Sequence, residues 1–526
     1  MSPTAPLSRN LCAVPGGEPE AVVRDPRWLY AAVGLGAAIF FYLQFFHLPI
    51  APIWIRGDQA IYLDHAERML HGEVLYRDLF EFNLPGTEYL YFFLFLCFGV
   101  HLWIVPVVMF ITLTVSAVLV YSLSRVVLCG VTALLPPAAF LIVCQRGSLD
   151  GTHHPYSTLL VLLAVCLVAR ARNLFWLSSA GALLGMATVF TSSRGIFVAA
   201  GVCLFFVWKF RGGRKAIASI AALLAPFVAV IAAVLAYLAI LVGPRLLYEE
   251  LVVFSLRYYP AGSPNRPSVF FAEWNSVLPL RAHSIVIVAY WLAIKVVVPF
   301  AFVTFFAGRF RTGAADLRGS RPSQALALYA FAGSSALLAV AGSMSAQRLS
   351  CAAAFACILG TAMLQNFAHP RLIGAALAVA GAISITLMTV AVLHPIYRFA
   401  SPRGSVVLLN RDRYEMVAWL ARNARPGDRL FGDPDLNFLL GLRDPASIQW
   451  VENDAYTRPE QVAELLITLD QFPIRFFMWG KYVDRPGPGD NIGPLRAYLK
   501  AHYHLEKRFG DGAEVLEPNT AAPPDQ

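Results

Sequence analysis

The sequence predicts a mainly α-helical membrane protein, a polytopic transmembrane bundle of about 11 spans followed by a small α/β domain. Composition is the first reason, since 57% of the 526 residues are hydrophobic and 14% are charged, whereas soluble proteins carry about 25% charged residues. The second reason is the distribution of acids. Of 33 Asp and Glu residues, seven lie in 55–88, 18 in 400–526 and five in 89–399. Two regions therefore suit water, and the stretch between them suits lipid.

The basic residues indicate a membrane and exclude a nucleic-acid partner. The formal net charge is +9, but Lys and Arg cluster in short runs between apolar segments, as at 209–215 and 309–321. Such runs are typical of cytoplasmic loops. We therefore expect membrane lipids around the chain, and we assign these clusters to the cytoplasmic side.

Hydropathy and charge divide the chain into four parts. Residues 1–28 predict a cytoplasmic N-terminal segment, and 29–395 the transmembrane domain, whose loop 55–88 lies on the opposite side of the membrane. Residues 396–517 predict a soluble α/β domain on that same side, and 518–526 a disordered tail. The predicted spans are 29–50, 102–124, 126–144, 156–169, 174–190, 196–208, 216–242, 284–306, 323–342, 349–366 and 372–394.

Residues 86–100 are also apolar. A full crossing there would reverse the side of every later loop and contradict the charge pattern. We therefore predict a partly inserted or interfacial helix. Its aromatic segment 89–98 fits either an interfacial belt or the lining of a lipid groove.

The C-terminal domain has the pattern of a small α/β unit. Apolar periodicity predicts helices at 411–423, 459–469 and 493–503, the second with Thr457 as its cap. Strands are predicted after Asp428 and from Arg475, and a hairpin at 505–516. The segment Asp433-Pro-Asp435 predicts a helix cap, and no catalytic motif is recognisable in this domain.

Loop 55–88 is the most informative segment for function. Apolar residues recur at helical spacing through 58–71, which predicts an amphipathic helix along the membrane surface that ends at Gly72. Asp58 stands at the start of this helix, where backbone N–H groups and the helix dipole favour a carboxylate. Asp58 is therefore either a structural cap or a functional acid, and the pattern alone leaves both interpretations open.

Five features follow one another in this loop: Asp58, Tyr62, Gly72, Tyr76-Arg77-Asp78 and Pro85-Gly86. In this order they resemble the first periplasmic loop of the GT-C superfamily of integral-membrane glycosyltransferases, whose members include aminoarabinose transferases and protein O-mannosyltransferases. A weaker resemblance covers 148–195 and ends in a basic residue, Arg194. The layout of many spans and a C-terminal soluble domain agrees.

The loop also departs from that family pattern. Gln59 stands where the family has a second acid, Leu84 where it has a first proline, and Arg194 where many members have lysine. The substitution at Gln59 leaves open a different acceptor, a different use of metal, or a weakened enzyme.

The resemblance implies an enzyme that transfers a hexosyl or pentosyl group from a polyprenyl-phosphate donor. It also implies a multi-pass protein of the bacterial cytoplasmic (inner) membrane with a periplasmic C-terminal domain, and a lipid, glycan or protein acceptor. Asp58 is the expected general base, which takes the proton of the acceptor hydroxyl in an inverting attack. Asp78 and Asp150 are further catalytic candidates. The alternative for Asp78 is that it only forms an ion pair with the adjacent Arg77.

A departing phosphate needs cations or hydrogen-bond donors. Arg194, Arg257 and Arg348 lie in outside loops or at span ends, and Tyr258 follows Arg257. We predict that these four residues bind the donor phosphate, with Tyr259 as a further donor, because guanidinium groups bind phosphate oxygens bidentately. The alternative for each arginine is snorkelling at the membrane surface.

The sequence assigns no metal ligands. Asp150 with His153 and His154 offers ligating atoms, but adjacent side chains point in different directions on regular backbone, and no spacing is typical of a metal site. Members of the superfamily differ in metal use, so a divalent metal cofactor stays open.

Two other functions compete with a glycosyltransferase. A transporter or lipid flippase usually places paired charges or broken helices near the bilayer midplane, often in repeated halves, whereas the candidate acids here cluster at one surface and no repeat is evident. The second alternative is a non-catalytic assembly partner that keeps the fold, which the missing second acid favours.

Overall fold

The computed structural model describes residues 27–147, 149–262, 265, 288, 290–312, 316–342, 345–367, 370–425, 427–480 and 483–519. The membrane part contains helices α1 Trp28–Phe45, α2 Gln59–Leu70, α3 Gly86–Phe98, α4 Ile104–Val127, α5 Leu135–Gly147, α6 His153–Arg170, α7 Leu174–Phe190, α8 Ser192–Phe210, α9 Arg214–Val242, α10 Pro244–Tyr248, α11 Val298–Thr312, α12 Asp316–Gly319, α13 Arg321–Leu338, α14 Ala346–Phe367 and α15 Pro370–Leu393. A short hairpin, β1 Phe46–His47 with β2 Ala51–Pro52, follows α1, and π-helical segments Glu249–Tyr258 and Ala293–Val297 flank the segment between α10 and α11.

The helices agree with the predicted spans. Eight described helices are long and apolar enough to cross a membrane: Trp28–Phe45, Ile104–Val127, His153–Arg170, Ser192–Phe210, Arg214–Val242, Tyr290–Gly308, Gln347–Gln365 and Arg371–Leu393. The predicted spans 174–190 and 323–342 fall on α7 and α13, whereas 126–144 covers the end of α4, a 3₁₀ turn at Gly130–Leu134 and most of α5. The first residues of the predicted span 284–306 lie outside the described residues. The mainly α, multi-pass architecture is therefore confirmed.

Helix α3 is too short for a crossing. Its 13 residues extend over about 20 Å at 1.5 Å per residue, whereas the hydrocarbon core is about 30 Å thick. It ends at Gly99, whose positive φ of 80° favours glycine. This length agrees with the interfacial helix predicted for 86–100.

Helices α7 and α9 pack closely because of two glycines. A Cβ atom on Gly181 would collide with the backbone of Leu223, and one on Gly185 would lie 2.9 Å from the carbonyl oxygen of Phe227. Glycines four residues apart share a helix face and allow two membrane helices to approach closely. The glycine-containing part of segment 148–195 therefore forms a packing surface between helices.

The C-terminal domain contains β3 Tyr397–Ser401, β4 Gly404–Leu408, α16 Arg411–Asn423, β5 Leu430–Phe431, α17 Pro434–Leu440, α18 Pro459–Gln471, β6 Phe476–Gly480, α19 Gly493–His502, β7 Tyr503–Arg508 and β8 Ala513–Pro518. β3 and β4 form a hairpin. The other strands form a sheet in the order β5-β6-β8-β7, in which β5 and β6 are parallel and the remaining pairs antiparallel. The predicted α/β domain is thus present, and helix 411–423 has the predicted bounds.

One predicted cap is wrong and another is confirmed. The Thr457 hydroxyl accepts a hydrogen bond from the backbone N–H of Glu452 at 2.7 Å, so it does not begin α18. The Gln461 side chain accepts instead from the N–H of Arg458, at 3.0 Å. Asp433 caps α17 as predicted, with its side chain accepting from Leu436.

The soluble domain docks on the loop between α1 and α4. The Arg68 guanidinium donates to the carbonyl of Ala446 at 2.9 Å, and Gln449 donates to the Asp64 carboxylate at 2.5 Å. The backbone N–H of Phe80 donates to the carbonyl of Ser447 at 2.9 Å. These contacts make the loop one side of the domain interface.

A buried ion-pair cluster lies at the same interface. Arg413 donates to both oxygens of Asp433, at 2.6 and 2.7 Å, and it lies 3.6 Å from Asp435. Trp54 donates to Asp435 at 3.1 Å, and Arg56 approaches the same carboxylate to 3.6 Å. Burial opposes ionisation of Asp433, but Arg413 outweighs it and holds the pKa of that carboxyl below its usual range.

The substitution Arg413→Ala tests this cluster. It leaves two buried carboxylates without their principal cation, and breaking a buried ion pair typically costs about 3–5 kcal/mol. We expect a clearly lower Tm of the full chain in detergent. The matched control is Arg411→Ala, whose exposed partner is Glu415 at 2.8 Å and whose Tm is expected to stay unchanged. Equal Tm values for both variants would contradict a stabilising role of Arg413 in this cluster.

Candidate functional site

Helix α2 begins under a carboxylate from a distant part of the chain. The Asp150 carboxylate accepts hydrogen bonds from the backbone N–H groups of Asp58 and Gln59, both at 3.2 Å. Asp58 precedes the helix, yet its own side chain makes no capping hydrogen bond. A capping side chain accepts from the N–H of the second or third helical residue, and the Asp58 carboxylate does not, so the structural-cap interpretation of Asp58 is wrong; Asp150 instead satisfies the N–H groups that come just before these.

Gly57 and Gln59 bring these two segments together. A side chain at Gly57 would collide with the Asp150 carboxylate. The buried Gln59 amide donates to the carbonyl of Ile55 at 2.5 Å and accepts from the N–H of Gly151 at 2.9 Å. A carboxylate has no hydrogen to donate, so the amide at position 59 makes a connection that an ionised acid does not.

The Asp58 carboxylate shares its surroundings with two charged residues. Asp58 is accessible to solvent, but the protein around it partly desolvates the carboxylate. This burial raises the pKa of Asp58, and the positive charge of Arg348 acts in the opposite direction. Burial and then the Asp58 charge raise the pKa of Asp150. The structure therefore brings together Asp58, Asp150 and Arg348 from three parts of the chain.

Arg348 lies in the first turn of α14 with neutral partners. Its guanidinium donates to the Tyr259 hydroxyl at 2.6 Å and to the side-chain oxygen of Asn265 at 3.1 Å. It also lies 5.9 Å from the centre of the Tyr259 ring. Within the described part of the chain Arg348 forms no ion pair with a carboxylate, so its charge is not neutralised by a protein anion in direct contact.

Arg194 is fully buried and bonded to protein oxygens. One terminal nitrogen donates to the carbonyl of His154 at 2.6 Å and to the hydroxyls of Ser157 and Thr158 at 2.8 and 3.0 Å; the other donates to the carbonyl of Arg348 at 3.0 Å. These bonds connect α6, α8 and the start of α14. Arg194 therefore supports the backbone of Arg348, and its terminal nitrogens face protein atoms.

Arg257 and Tyr258 lie on the π-helical segment that follows α10. Arg257 is exposed, with its guanidinium 5.4 Å from the centre of the Tyr258 ring. Tyr258 stacks on Phe254 at 5.9 Å. The next residue, Tyr259, is the one that contacts Arg348.

Asp78 is committed to a local turn. Its carboxylate accepts from the N–H of Val74 at 2.8 Å and pairs with Arg77 at 2.8 Å. The Arg77 hydrogen bond holds the pKa of Asp78 below its usual value. The simple ion pair considered for Asp78 is thus formed.

The two adjacent histidines have other partners. The Tyr62 hydroxyl hydrogen-bonds to Nδ1 of His153 at 2.7 Å, and Nδ1 of His154 lies 3.4 Å from the Arg194 guanidinium. Since Asp150 is bound to backbone, these groups do not converge as metal ligands in the described residues.

The soluble domain contributes a residue that sequence reasoning missed. Tyr456 packs edge-on against Phe254 at 5.2 Å and Phe82 at 6.3 Å, and the charges of Glu81 and Asp58 both act on its hydroxyl. Asn265 was missed as well. One tyrosine among 20 and one asparagine in a loop carry no local signal of this placement.

A cavity of about 380 Å³ lies where the membrane helices meet the soluble domain. Apolar side chains of α15 and the polar Gln44 of α1 contribute to it, together with Trp54, Ile55 and Arg56 from the loop and Asn410 and Arg413 from the domain. Arg56 is two residues from Asp58. The cavity therefore connects lipid-facing helices with the neighbourhood of the acid.

The chain folds as a multi-pass bundle whose first loop is covered by a C-terminal α/β domain, and it shares this fold with a solved GT-C glycosyltransferase. The chain is similar to ArnT, an aminoarabinose transferase, from Cupriavidus metallidurans in its apo crystal structure. The TM-score is 0.57 at 12% sequence identity, over 93% of this chain and 97% of that chain. The GT-C fold expected from the loop is therefore confirmed.

The sequence comparisons add no relative. No protein-family model matches the sequence, and no curated protein sequence matches it.

The substitution Arg194→Met tests the supporting role of Arg194. It removes a charged donor shared by four oxygens, and a hydrogen bond to a charged group contributes about 1.5–3 kcal/mol. We expect a strongly reduced Tm for Arg194→Met and an unchanged Tm for the exposed control Arg257→Met, measured by thermal unfolding in detergent. An Arg194→Met protein as stable as the wild type would refute this role.

Proposed function

We propose that this protein is a membrane glycosyltransferase that moves a sugar from a polyprenyl-phosphate donor to an acceptor hydroxyl at the outer face of the membrane. The observation that carries the proposal is that the Asp58 carboxylate makes no capping hydrogen bond and lies within the electrostatic influence of Arg348. Asp58 stands at the junction of the bundle and the soluble domain. The GT-C fold supports the same chemistry.

Asp58 is the proposed general base. In an inverting attack it takes the proton of the acceptor hydroxyl as that oxygen bonds to the anomeric carbon and the phosphate leaves. A raised pKa makes a carboxylate a better proton acceptor near neutral pH. Its exposure to solvent gives an acceptor a path to it.

Arg348 and Tyr259 are the proposed contacts of the departing phosphate. Arg348 has neutral partners in the described residues, so its charge is available to an incoming anion. Arg257 and Tyr258, on the same segment as Tyr259, extend this surface. Bidentate guanidinium contacts would stabilise the charge that develops on the phosphate oxygens.

Arg194 and Asp150 are proposed as positioning residues. Arg194 supports the carbonyl of Arg348, and Asp150 fixes the start of the helix that follows Asp58. Asp78 is proposed to hold the 74–79 turn of the loop. The proposal thereby keeps Asp58 as the base, as the sequence resemblance implies, and gives Asp150 and Asp78 structural roles.

The cavity between α1, α15 and the soluble domain is the proposed binding region for a lipid substrate. It is lined partly by Leu387, Val390 and Ala391 of α15, and Arg56 supplies a cation at its polar end. An apolar chain with an anionic head group matches this pattern. The lipid class of donor fits it directly, and a lipid, a glycan or a protein remains the acceptor class.

The membrane side follows from the same proposal. Polyprenyl-phosphate sugars serve reactions where nucleotide sugars are absent, so the soluble domain is assigned to the periplasm of a bacterial inner membrane. Helix α3, too short for a crossing, keeps loop 55–88 and the soluble domain on one side.

A flippase or a non-catalytic partner predicts different behaviour. A flippase moves the lipid without forming a glycosidic bond, and a non-catalytic partner binds substrate without turnover. The missing second acid at position 59 favoured a non-catalytic partner. The Gln59 amide makes two structural hydrogen bonds, so the absence of an acid there is weaker support for that alternative.

Replacing the base, in Asp58→Asn, is expected to lower transfer of labelled sugar from a polyprenyl-phosphate donor by about 10²–10⁴-fold. The measurement is product formation by purified full-length protein. Glu415→Gln, an exposed acid of the soluble domain, serves as control and is expected to keep wild-type turnover. Equal turnover of Asp58→Asn and the wild type would remove Asp58 as the base, and lipid movement without product would favour the flippase.

The pH profile of kcat/KM reports the state of Asp58. A base must be deprotonated, so kcat/KM is expected to fall as pH decreases through a pKa above the usual 3.8 of aspartic acid. Removing the cation in Arg348→Gln raises this pKa further and shifts the acid limb to higher pH. Arg348→Lys keeps the charge and is expected to retain the wild-type limb. An acid limb at the same pH in all three proteins would contradict the effect of the Arg348 charge on the pKa of Asp58.

A further inference from the structure

Three ligating side chains converge beside the proposed active site. His65 lies in α2, Glu81 in the segment after it, and Glu88 in the first turn of α3. One ligating atom from each residue lies within 4.8 Å of the other two, and all three residues are buried. His65 follows Asp58 by seven residues, about two helical turns, so the cluster is separate from the base.

The cluster contains buried atoms without partners. Nδ1 of His65 and both carboxylate oxygens of Glu88 are buried without a hydrogen-bond partner of good geometry, and Glu88 is 0% exposed. Nδ1 of His65 lies 3.9 Å from Oε2 of Glu81. Buried polar atoms in folded proteins are normally hydrogen-bonded, so these three atoms call for a ligand between them.

The second Glu81 oxygen is held in place by the chain. Oε1 accepts from the N–H groups of Phe82 and Asn83 at 2.9 and 2.8 Å, and from the Asn83 side chain at 3.0 Å. These bonds orient the carboxylate and leave Oε2 toward His65. Metal-ligating carboxylates are commonly oriented by such hydrogen bonds.

The charges of the cluster do not balance within the described residues. No arginine or lysine there forms an ion pair with Glu81 or Glu88. Two buried carboxylates without compensation are costly. A bound cation would supply the missing positive charge.

The spacing suits a bound cation. Zinc binds histidine nitrogen and carboxylate oxygen at about 2.0–2.2 Å, so two ligand atoms around one ion lie at most about 4.4 Å apart. The 3.9 Å separation of His65 and Glu81 falls within this limit, and ligand atoms that all lie within 4.8 Å of one another reach it with a contraction of at most a few tenths of an ångström.

We propose that His65, Glu81 and Glu88 form a site for a divalent transition-metal ion, with Zn²⁺ the best match to one nitrogen and two oxygen donors. The ion neutralises the two carboxylates and connects α2, the loop and α3. It thereby stabilises the loop that carries Asp58. The proposal goes beyond the transfer reaction and requires no catalytic step at the metal.

The test uses full-length protein in detergent, stripped with EDTA and then dialysed against ZnCl2 or, separately, MnCl2. Elemental analysis is expected to find one zinc per wild-type chain and none in Glu88→Gln. The matched control His71→Gln changes an exposed histidine after the same helix and is expected to retain zinc. The Tm is expected to rise with zinc for the wild type and for His71→Gln only.

Other outcomes overturn the proposal. A wild type that retains neither metal, together with a Glu88→Gln protein of wild-type Tm, means that Glu81 and Glu88 share a proton instead. Zinc retained equally by Glu88→Gln places the metal elsewhere. Should Glu88→Gln fail to fold, Glu88→Asp keeps the charge and is expected to bind zinc more weakly than the wild type; equal affinity overturns the site.

One variant separates this site from the proposed function. Asp58→Asn is expected to bind zinc like the wild type while it loses sugar transfer. Loss of zinc in Asp58→Asn would place the metal at the base and refute a separate site. Zinc binding by a wild type that transfers no sugar would reject the transfer reaction and leave the metal site intact.

Discussion

The Asp150 carboxylate at the start of helix α2 is the interaction on which the candidate site depends. A helix N-terminus needs acceptors for its first N–H groups, and here a residue 92 positions away supplies them. This cap attaches loop 55–88 to the connection between α5 and α6. It also leaves the Asp58 side chain outside the cap, at a solvent-accessible position near Arg348. The hydrogen bonds of Asp150 to the start of α2 thus fix the loop in place, and the Asp58 carboxylate has no hydrogen bond to this helix start.

Buried arginines organise the surroundings of this loop in two ways. Arg194 on α8 satisfies neutral oxygens of α6 and α14, so its charge is used to hold the bundle where it supports Arg348. Arg413 satisfies carboxylates within the soluble domain, and one of them, Asp435, also accepts from Trp54 of the loop. In both cases the desolvation of a guanidinium is offset by several hydrogen bonds of good geometry. The arginine available for a ligand is therefore one with neutral partners and partial exposure.

Sequence patterns predicted the helices well and the use of individual side chains less well. The 411–423 helix and the long apolar helices follow from periodicity and hydropathy, which neighbouring residues determine. Thr457 has the right type and position for a cap, but it bonds to Glu452, because Gln461 already serves the start of that helix. Arg194 and Arg348 are both arginines at helix ends, and only their partners distinguish a support from a candidate phosphate ligand. His65, Glu81 and Glu88 lie in one short segment, yet no regular spacing marked them.

The sequence by itself determined the membrane bundle, the α/β domain and the GT-C resemblance, and it made Asp58 a candidate, because composition, periodicity and a short ordered motif are properties of nearby residues. The tertiary structure alone decided that Asp150 caps and Asp58 does not, that Tyr259 and Asn265 meet Arg348, and that Tyr456 of the soluble domain joins the site. Each of these depends on contacts between residues far apart in the chain, whose geometry is set by helix packing and domain docking. Which partners form hydrogen bonds in a buried interface depends on that geometry, so the local sequence does not predict them.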